Sequence, residues 1–324
     1  MMKVLFALAT IAAIGAVPVV AQESCEAGFR LFEHGGGQTC IPEKAERIVG
    51  LHDQSITLTL LEIGAPVVGS HGRVADDGRE FLRSVEEMLG YTFENSGIGF
   101  VGSYPLDVEA IAALSPDLII ARTYDLDLRQ QYEVIAPTVF IADDPQDPMN
   151  FARDVADASG ELEEWERLLE AYQRNIETAR RTFPELVGQS YAKIQAWDGK
   201  LTVYAGYGGL TKVLEDLGLV RTPFAQAMSD RGVAWGEEVS VELLPEQQAD
   251  YTFDTYNIAG GDTYGAARQR LVDVLPNWCD VLKSCSEGRY IVLPREYSTG
   301  YGFSQLNTLI PLITTHAARV PVGD

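Results

Sequence analysis

The residues best suited to chemistry in this sequence are rings and guanidinium groups placed just beyond apolar runs. In the first half they are His71, Arg73, Tyr104, Arg122 and Tyr124. In the second half they are Tyr204, Tyr207, Trp235, Tyr256, Arg295, Tyr297 and Tyr301. Rings supply flat contact area, and guanidinium forks hold oxygens in pairs. Brought together, they would line an aromatic cleft for a bulky, flat-faced, partly anionic ligand. Any one Tyr is equally well explained as a half-buried packing residue; it is the set that favours a binding site.

Catalytic chemistry finds little support. Ser70-His71 and Ser298 are imaginable parts of a nucleophile, yet no G-x-S-x-G elbow is present. No GxxxxGK[ST] or GxGxxG follows a strand, which argues against a bound nucleotide. Gly206-Tyr207-Gly208-Gly209 reads as a helix-capping turn. His34, His52, His71 and His316 are widely scattered, which disfavours a His-rich zinc or manganese site. Asp143-Asp144 reads as a solvated strand end.

The elements that must position these groups show one pattern twice. Residues 102–124 read as a loop, a short helix capped by Asp107 with Glu109 in its first turn, and a buried strand DLIIA ending near Tyr124. In EVSVELLPEQQADYTFDTY, Ser240 is the cap, Glu242 sits in the first turn, Asp250 opens the strand, and Tyr256 follows it. The interval from Glu109 to Asp117 equals that from Glu242 to Asp250. Duplication explains the match, so two similar α/β lobes are expected.

The remaining chain fits that plan. Strands are expected at 46–51, 66–69 and TVFIA, a helix capped by Ser55 at ITLTLLEIG, an acidic helix at 76–90 and another at 127–136. Strand–helix–strand intervals of this size indicate parallel sheets with crossover helices. Residues 146–183 carry one glycine, Gly160, and a stripe at Trp165, Leu168, Leu169, Tyr172 and Ile176, as in a long helix. Such a connector is stiff. Beyond it come strands at 192–197 and 201–204, helices at LTKVLEDLG, 265–275 and 303–318, and a strand at 290–293. The expected organisation is therefore an N-terminal lobe over 22–145, an interlobe helix over 146–185 and a C-terminal lobe over 186–324.

At 324 residues, with 46% hydrophobic and 22% charged residues, the chain suits a two-domain globular protein. Lys3, an apolar run from Val4 to Val17 and Pro18-Val19-Val20-Ala21 have the form of a cleaved signal peptide over 1–21. Cys25 does not sit where lipid attachment would place it, so a soluble, exported, periplasmic protein is expected. Cys25 and Cys40 flank a hairpin with Gly35-Gly36-Gly37 at its turn, and Cys279 and Cys285 bracket a short loop. Both pairs favour disulfides over a zinc site. Removal of the signal leaves 24 basic against 47 acidic residues, a net charge of −23, which argues against nucleic acid or an anionic membrane surface.

On ERIVGLH…LTLLEIGAPVVG, VG…DVEAIAALSPDLIIA, the stiff helical middle and AWGEEVSVELL…ADYTFD, the chain resembles class III periplasmic substrate-binding proteins of ABC importers, in the iron-siderophore branch. The resemblance spans about residues 44–320. It implies two Rossmann-like lobes with mostly parallel sheets joined by a long rigid helix, ligand in the cleft between them, small closure, and no enzymatic cofactor. It also implies a monomer whose Glu109 and Glu242 dock onto arginines of the inner-membrane permease. Trp235-Gly236 and Tyr124 match cleft residues of ferric hydroxamate binders. Tyr207 and Thr255 stand near where catecholate binders place arginines, which points away from a tris-catecholate. Arg73 and Arg122 allow a carboxylate-containing siderophore. Iron in such complexes is held by the siderophore rather than by side chains.

Two other readings compete. Heme or cobalamin binding by the same importer class would want an axial group such as Tyr124, Tyr256 or His71 for heme. An exported α/β hydrolase would need a triad that the sequence does not assemble.

Overall fold

Consecutive halves of the sequence build two separate sheets. The computed structural model describes residues 25–143 and 149–317. The expected signal segment lies outside the described residues, as does Asp144.

The chain opens with an antiparallel hairpin, β1 (Phe29–His34) and β2 (Gly37–Pro42), closed by a Cys25–Cys40 disulfide. Next come β3 (Ile48–Gly50) and β4 (Val67–Ser70), a small hairpin of β5 (Arg73–Val74) and β6 (Glu80–Phe81), and then β7 (Gly99–Phe100), β8 (Leu118–Arg122) and β9 (Thr138–Ile141). The first main sheet runs β7-β4-β3-β8-β9 and is parallel throughout. Leu118 to Ala121 are fully buried, as an unbroken apolar run in a parallel strand requires. The first hairpin covers the outer strand β9. His34 Nδ1 accepts the Phe140 N–H at 3.2 Å, and the Gly35 N–H donates to the Phe140 carbonyl at 2.8 Å.

The second half contributes β10 (Ser190–Trp197), β11 (Lys200–Tyr204), β12 (Val220–Arg221), β13 (Gly236–Val239), β14 (Tyr251–Tyr256) and β15 (Tyr290–Pro294). They order as β13-β11-β10-β14-β15, with β12 beside β10. The β10–β14, β14–β15 and β10–β12 pairs are parallel; β10–β11 and β11–β13 are antiparallel. A second disulfide joins Cys279 and Cys285.

The repeated pattern is visible as matched hydrogen bonds. Asp107 Oδ1 accepts the Glu109 and Ala110 N–H groups at 3.0 Å each, opening helix Val108–Ala113. Ser240 Oγ accepts the Glu242 N–H at 3.4 Å, opening a 3-10 turn, Val241–Glu246, that contains Pro245. Asp117 then accepts N–H bonds from Glu46 and Arg47 at 2.6 and 2.8 Å, beside β3. Asp250 does the same for Ser190, at the start of β10, at 2.8 Å. In each half an acidic residue thus clamps the neighbouring parallel strand.

Three local expectations change. The first helical segment begins at Asp53 with His52, not Ser55, as its cap, through a π-helical turn Asp53–Thr57 into helix Leu58–Glu62. The acidic stretch 76–90 is not one helix. Residues 73–81 pair as β5 and β6 about a turn with Gly78 at φ +85°, and the helix spans only Val85–Leu89. The middle segment is two helices, Met149–Ser159 and Leu162–Thr182. They break at Gly160, where φ is +84° and a Cβ would lie 2.6 Å from the Glu43 carbonyl.

The longer helix buries Trp165, Tyr172, Ile176 and Ala179. Its Trp165 ring lies 5.8 Å from Phe303 at the start of the last helix, Phe303–Ala317. The N-terminus of that last helix is held from the first half of the chain. Glu62, half-buried, accepts the Phe303 and Ser304 N–H groups at 2.8 Å each and bonds the Ser304 hydroxyl. One apolar cluster accordingly runs from Ile48 and Leu118 through Trp165 and Tyr172 to Phe253 and Leu309.

Candidate functional site

A cavity of about 870 Å³ lies where the carboxyl ends of both sheets approach each other. Parallel sheets direct their strand-end loops to such a place. The first half contributes His52, Gln54, Ser55, Arg122, Tyr124 and Asp143, and the helix beginning at Met149 contributes Phe151 and Ala152. The second half contributes Tyr207, Lys212, Arg221, Trp235, Arg295 and Tyr301, among others. Arg122, Tyr124, Tyr207, Trp235, Arg295 and Tyr301 were expected from their strand-end positions and meet there.

The two most open rings of the cavity lining face the same space from opposite halves. Tyr124 is 55% exposed and Trp235 is 45% exposed. Arg122 lies over both the Tyr124 and Phe151 rings, at 5.5 and 4.6 Å from their centroids, and pairs with Asp143. Asp143 is exposed just beyond β9, as expected of a solvated strand end, and it also lines the cavity. Behind Trp235, Tyr207 stacks at 5.0 Å with an interplanar angle of 24°, and Tyr204 meets Tyr207 edge-on at 4.8 Å. Tyr207 is only 2% exposed and bonds Thr255 Oγ1 at 2.9 Å, so it backs the wall more than it forms it. The turn at Gly208 and Gly209 lets segment 299–300 lie against the start of helix Gly208–Asp216. A Cβ on Gly208 would sit 2.0 Å from the Thr299 carbonyl.

A buried charge pair that the sequence did not announce supports this aromatic wall. Lys193 Nζ lies 4.6 and 4.5 Å from the Tyr204 and Tyr207 ring centroids, 3.5 Å from Asp254 Oδ1, and donates to the Ile194 carbonyl at 2.8 Å. Asp254 accepts the Tyr290 hydroxyl at 2.6 Å. Burial pulls the Lys193 pKa down to about 8 against the attraction of Asp254, and burial raises that of Asp254.

The cavity's basic groups are mostly neutralised locally. Arg122 pairs with Asp143, Lys212 with Asp216 at 2.8 Å, and Arg221 with Glu215 at 2.9 Å. Among the described residues Arg295 makes no ion pair with a carboxylate.

Six of the twelve expected residues do not line the cavity: Tyr204, behind Tyr207, His71, and four more. Tyr104 stands behind Tyr124, their hydroxyls 2.9 Å apart, with its own hydroxyl 3.3 Å from the Leu51 carbonyl. Arg73, on the small hairpin, lies beyond these rings, and burial lowers its pKa. Tyr256 packs against the second-half core, with Tyr297 near it. Of these last four, only Tyr256 ends a main-sheet strand; Arg73 is on β5, Tyr104 in the loop after β7, and Tyr297 in a short helix, Arg295–Ser298.

His71 is fully buried, its ring 4.9 Å from Tyr104 and its Nδ1 3.3 Å from Asp53. Burial alone would raise the Asp53 carboxyl. Bonds from His71 and Arg83, the latter a fork at 3.0 and 2.6 Å, hold it well below the usual range. Ser70 and Ser298 are also buried, donating to the carbonyls of His71 and Pro294. Among the described residues no group of three His, Cys, Asp or Glu is placed to hold a metal ion, and no helix is long and apolar enough to cross a membrane.

His52, passed over in the sequence, lines the cavity. Its Nδ1 accepts the Ser55 N–H at 3.2 Å and lies 2.7 Å from Ser55 Oγ, which in turn accepts from Arg122 Nη1 at 3.0 Å. The only advance signal was its place just before an apolar helix.

Comparison with known proteins agrees with this architecture. The periplasmic binding protein family matches residues 94–263. The iron(3+)-hydroxamate-binding protein FhuD of Bacillus subtilis is 27% identical over 243 residues, 72% of this chain and 71% of the relative. The crystal structure of Staphylococcus aureus SirA complexed with staphyloferrin B aligns with a TM-score of 0.71 at 21% identity, over 89% of this chain and 98% of that one. Staphylococcus aureus FhuD2 with bound ferrioxamine B aligns with a TM-score of 0.65 at 18% identity, over 84% of this chain and 99% of that one.

Proposed function

The chain belongs to the periplasmic binding protein family, and from that premise we propose that it captures a ferric siderophore between its halves and delivers it to the permease of an ABC importer. This is a family of substrate-binding transport proteins rather than of enzymes. The observation that carries the reading is the placing of Tyr124 and Trp235, one from each half, as exposed rings on one cavity of about 870 Å³. That volume falls within the roughly 300–1,000 Å³ usual for small-molecule sites.

The ligand is a chelate of low net charge, of hydroxamate or mixed hydroxamate–carboxylate type. Three of the wall's basic groups are already paired, leaving Arg295 for a ligand oxygen. A relative named for ferric hydroxamate supports the same choice. The siderophore satisfies the iron, and Tyr124, Trp235, Arg122, Arg295 and Tyr301 hold its periphery. Tyr207 backs Trp235, while Arg73, Tyr104, Tyr256 and Tyr297 act at most indirectly.

Glu109 and Glu242 are the permease contacts. Both are exposed, and both stand in the first turn of corresponding elements. The protein works as an exported monomer, released from its signal segment and free of lipid.

Heme is less well served. Of the three axial groups expected from the sequence, His71 and Tyr256 lie off the cavity and Tyr124 lines it. Titrating the apo protein separately with ferrioxamine B and hemin, while following tryptophan emission and the visible spectrum, tests the choice. Saturable quenching by ferrioxamine B is expected; a Soret shift with hemin and no response to any ferric chelate overturns it.

A further inference from the structure

We propose that His52 donates a hydrogen bond to the siderophore from Nε2, its proton fixed there by the cap that Nδ1 makes on the helical segment beginning at Asp53. This rests on the cavity being the siderophore site.

An imidazole nitrogen has one in-plane lone pair or one proton, never both. The Ser55 N–H reaches His52 Nδ1 at 3.2 Å and can only donate, so Nδ1 is the acceptor. The neighbouring hydroxyl agrees. Ser55 Oγ accepts a hydrogen bond from Arg122 Nη1 at 3.0 Å and directs its own hydrogen toward Nδ1 at 2.7 Å. The ring's one proton is therefore on Nε2, because the bond made by one nitrogen sets the state of the other.

The surroundings keep the ring uncharged. Burial pulls its pKa down to about 3; Asp53 opposes this, while Arg83, Arg122 and His71 reinforce it. Those groups come from the residue's own segment, the loop before helix Val85–Leu89, the end of β8 and the end of β4. The wall shared by His52, Ser55, Arg122 and Tyr124 thus presents the same donor at mildly acidic and mildly basic pH. A ligand oxygen is accepted there, and a ligand cation is not.

Two substitutions separate the donor from the cap. His52→Asn keeps an acceptor where Nδ1 stands, since Asn is among the best caps, and removes the Nε2 proton. His52→Gln keeps an N–H at the reach of Nε2 and loses the cap. H52N is expected to melt close to wild type yet bind ferrioxamine B about tenfold more weakly, the scale of one lost hydrogen bond. H52Q is expected to melt lower and bind nearly as well as wild type.

Nitrogen-15 spectra of the apo protein should show Nδ1 unprotonated and Nε2 protonated. Wild-type affinity should stay level from about pH 5.5 to about pH 8, where an ordinary histidine titrates. Unchanged affinity in H52N, a proton on Nδ1, or affinity that changes about tenfold across that range would overturn the assignment. A wild-type protein that ignores every ferric chelate while its spectra place the proton on Nε2 overturns instead the function proposed above, and the donor role with it.

Discussion

Single residues decide how firmly the cavity grips. Trp235 is exposed on one side and stacked on Tyr207 on the other, so its position is set before ligand arrives. Replacing it by Ala should weaken ferrioxamine B binding by roughly 1–3 kcal/mol in a fluorescence or calorimetric titration, as for a central aromatic anchor. Unchanged affinity would remove the ring from the site. Glu87 governs a different quantity. Its Oε2 is buried without a hydrogen-bond partner, and burial pushes the carboxyl up to about 7 from 4.5, with Glu296 and Glu86 adding to the rise. Between those values the folded protein holds a proton that the unfolded chain has released. Stability from this group is full below about pH 4.5 and is lost as pH climbs through about 7. Melting temperature should fall over that interval, and Glu87→Gln should flatten the fall. At this scale the sequence was legible where type and strand-end position coincide, as at Tyr124 and Trp235. It was silent on Lys193 and Asp254, whose pairing depends on two strands lying side by side.

Elements were legible where one strong local rule acts alone. The apolar run at β8, the Asp107 cap and the Gly-rich hairpin turn each produced the element expected. They were misread where two rules compete. An acidic helix was expected over 76–90, yet Asp77-Gly78 is a turn signal, and it prevailed in the hairpin of 73–81. Thr222 followed by Pro223 is a cap with a favoured first residue, yet helix Pro223–Asp230 went unread. Gly160 split the long connector because its backbone is pressed against Glu43, a contact that no periodicity reveals. The disulfides offer a test at this scale. The Cys25–Cys40 link spans 15 residues and Cys279–Cys285 spans 6. Loop entropy gives the longer loop about 3 kcal/mol and the shorter one less. C25A/C40A should therefore lower the denaturant midpoint more than C279A/C285A does. Equal losses would mean that strain or packing, not chain restriction, sets the contribution.

For the whole molecule, the matched elements of the two halves pose the question of what they face. Glu109 and Glu242 are exposed, and neither forms an ion pair among the described residues. With both replaced by Ala, ferrioxamine B affinity in solution should be unchanged, while uptake by cells carrying the cognate permease should be abolished. Loss of binding in the double variant would instead assign these residues to the cavity. The repeated pattern was legible from intervals alone because the same clamp, Asp117 on β3 and Asp250 on β10, recurs in both halves. How the halves meet was not, because residues distant in the chain make the junction.

The Glu62 bridge to Phe303 and Ser304 gives that junction a direction in time. A ribosome issues Glu62 early and its partners last, a separation of 241 positions. Until the final helix has emerged and seated, the early half waits with an unanswered carboxylate. A nascent chain stalled short of residue 303 would carry both sheets and all the residues that line the cavity, yet lack the bridge that ties its halves together.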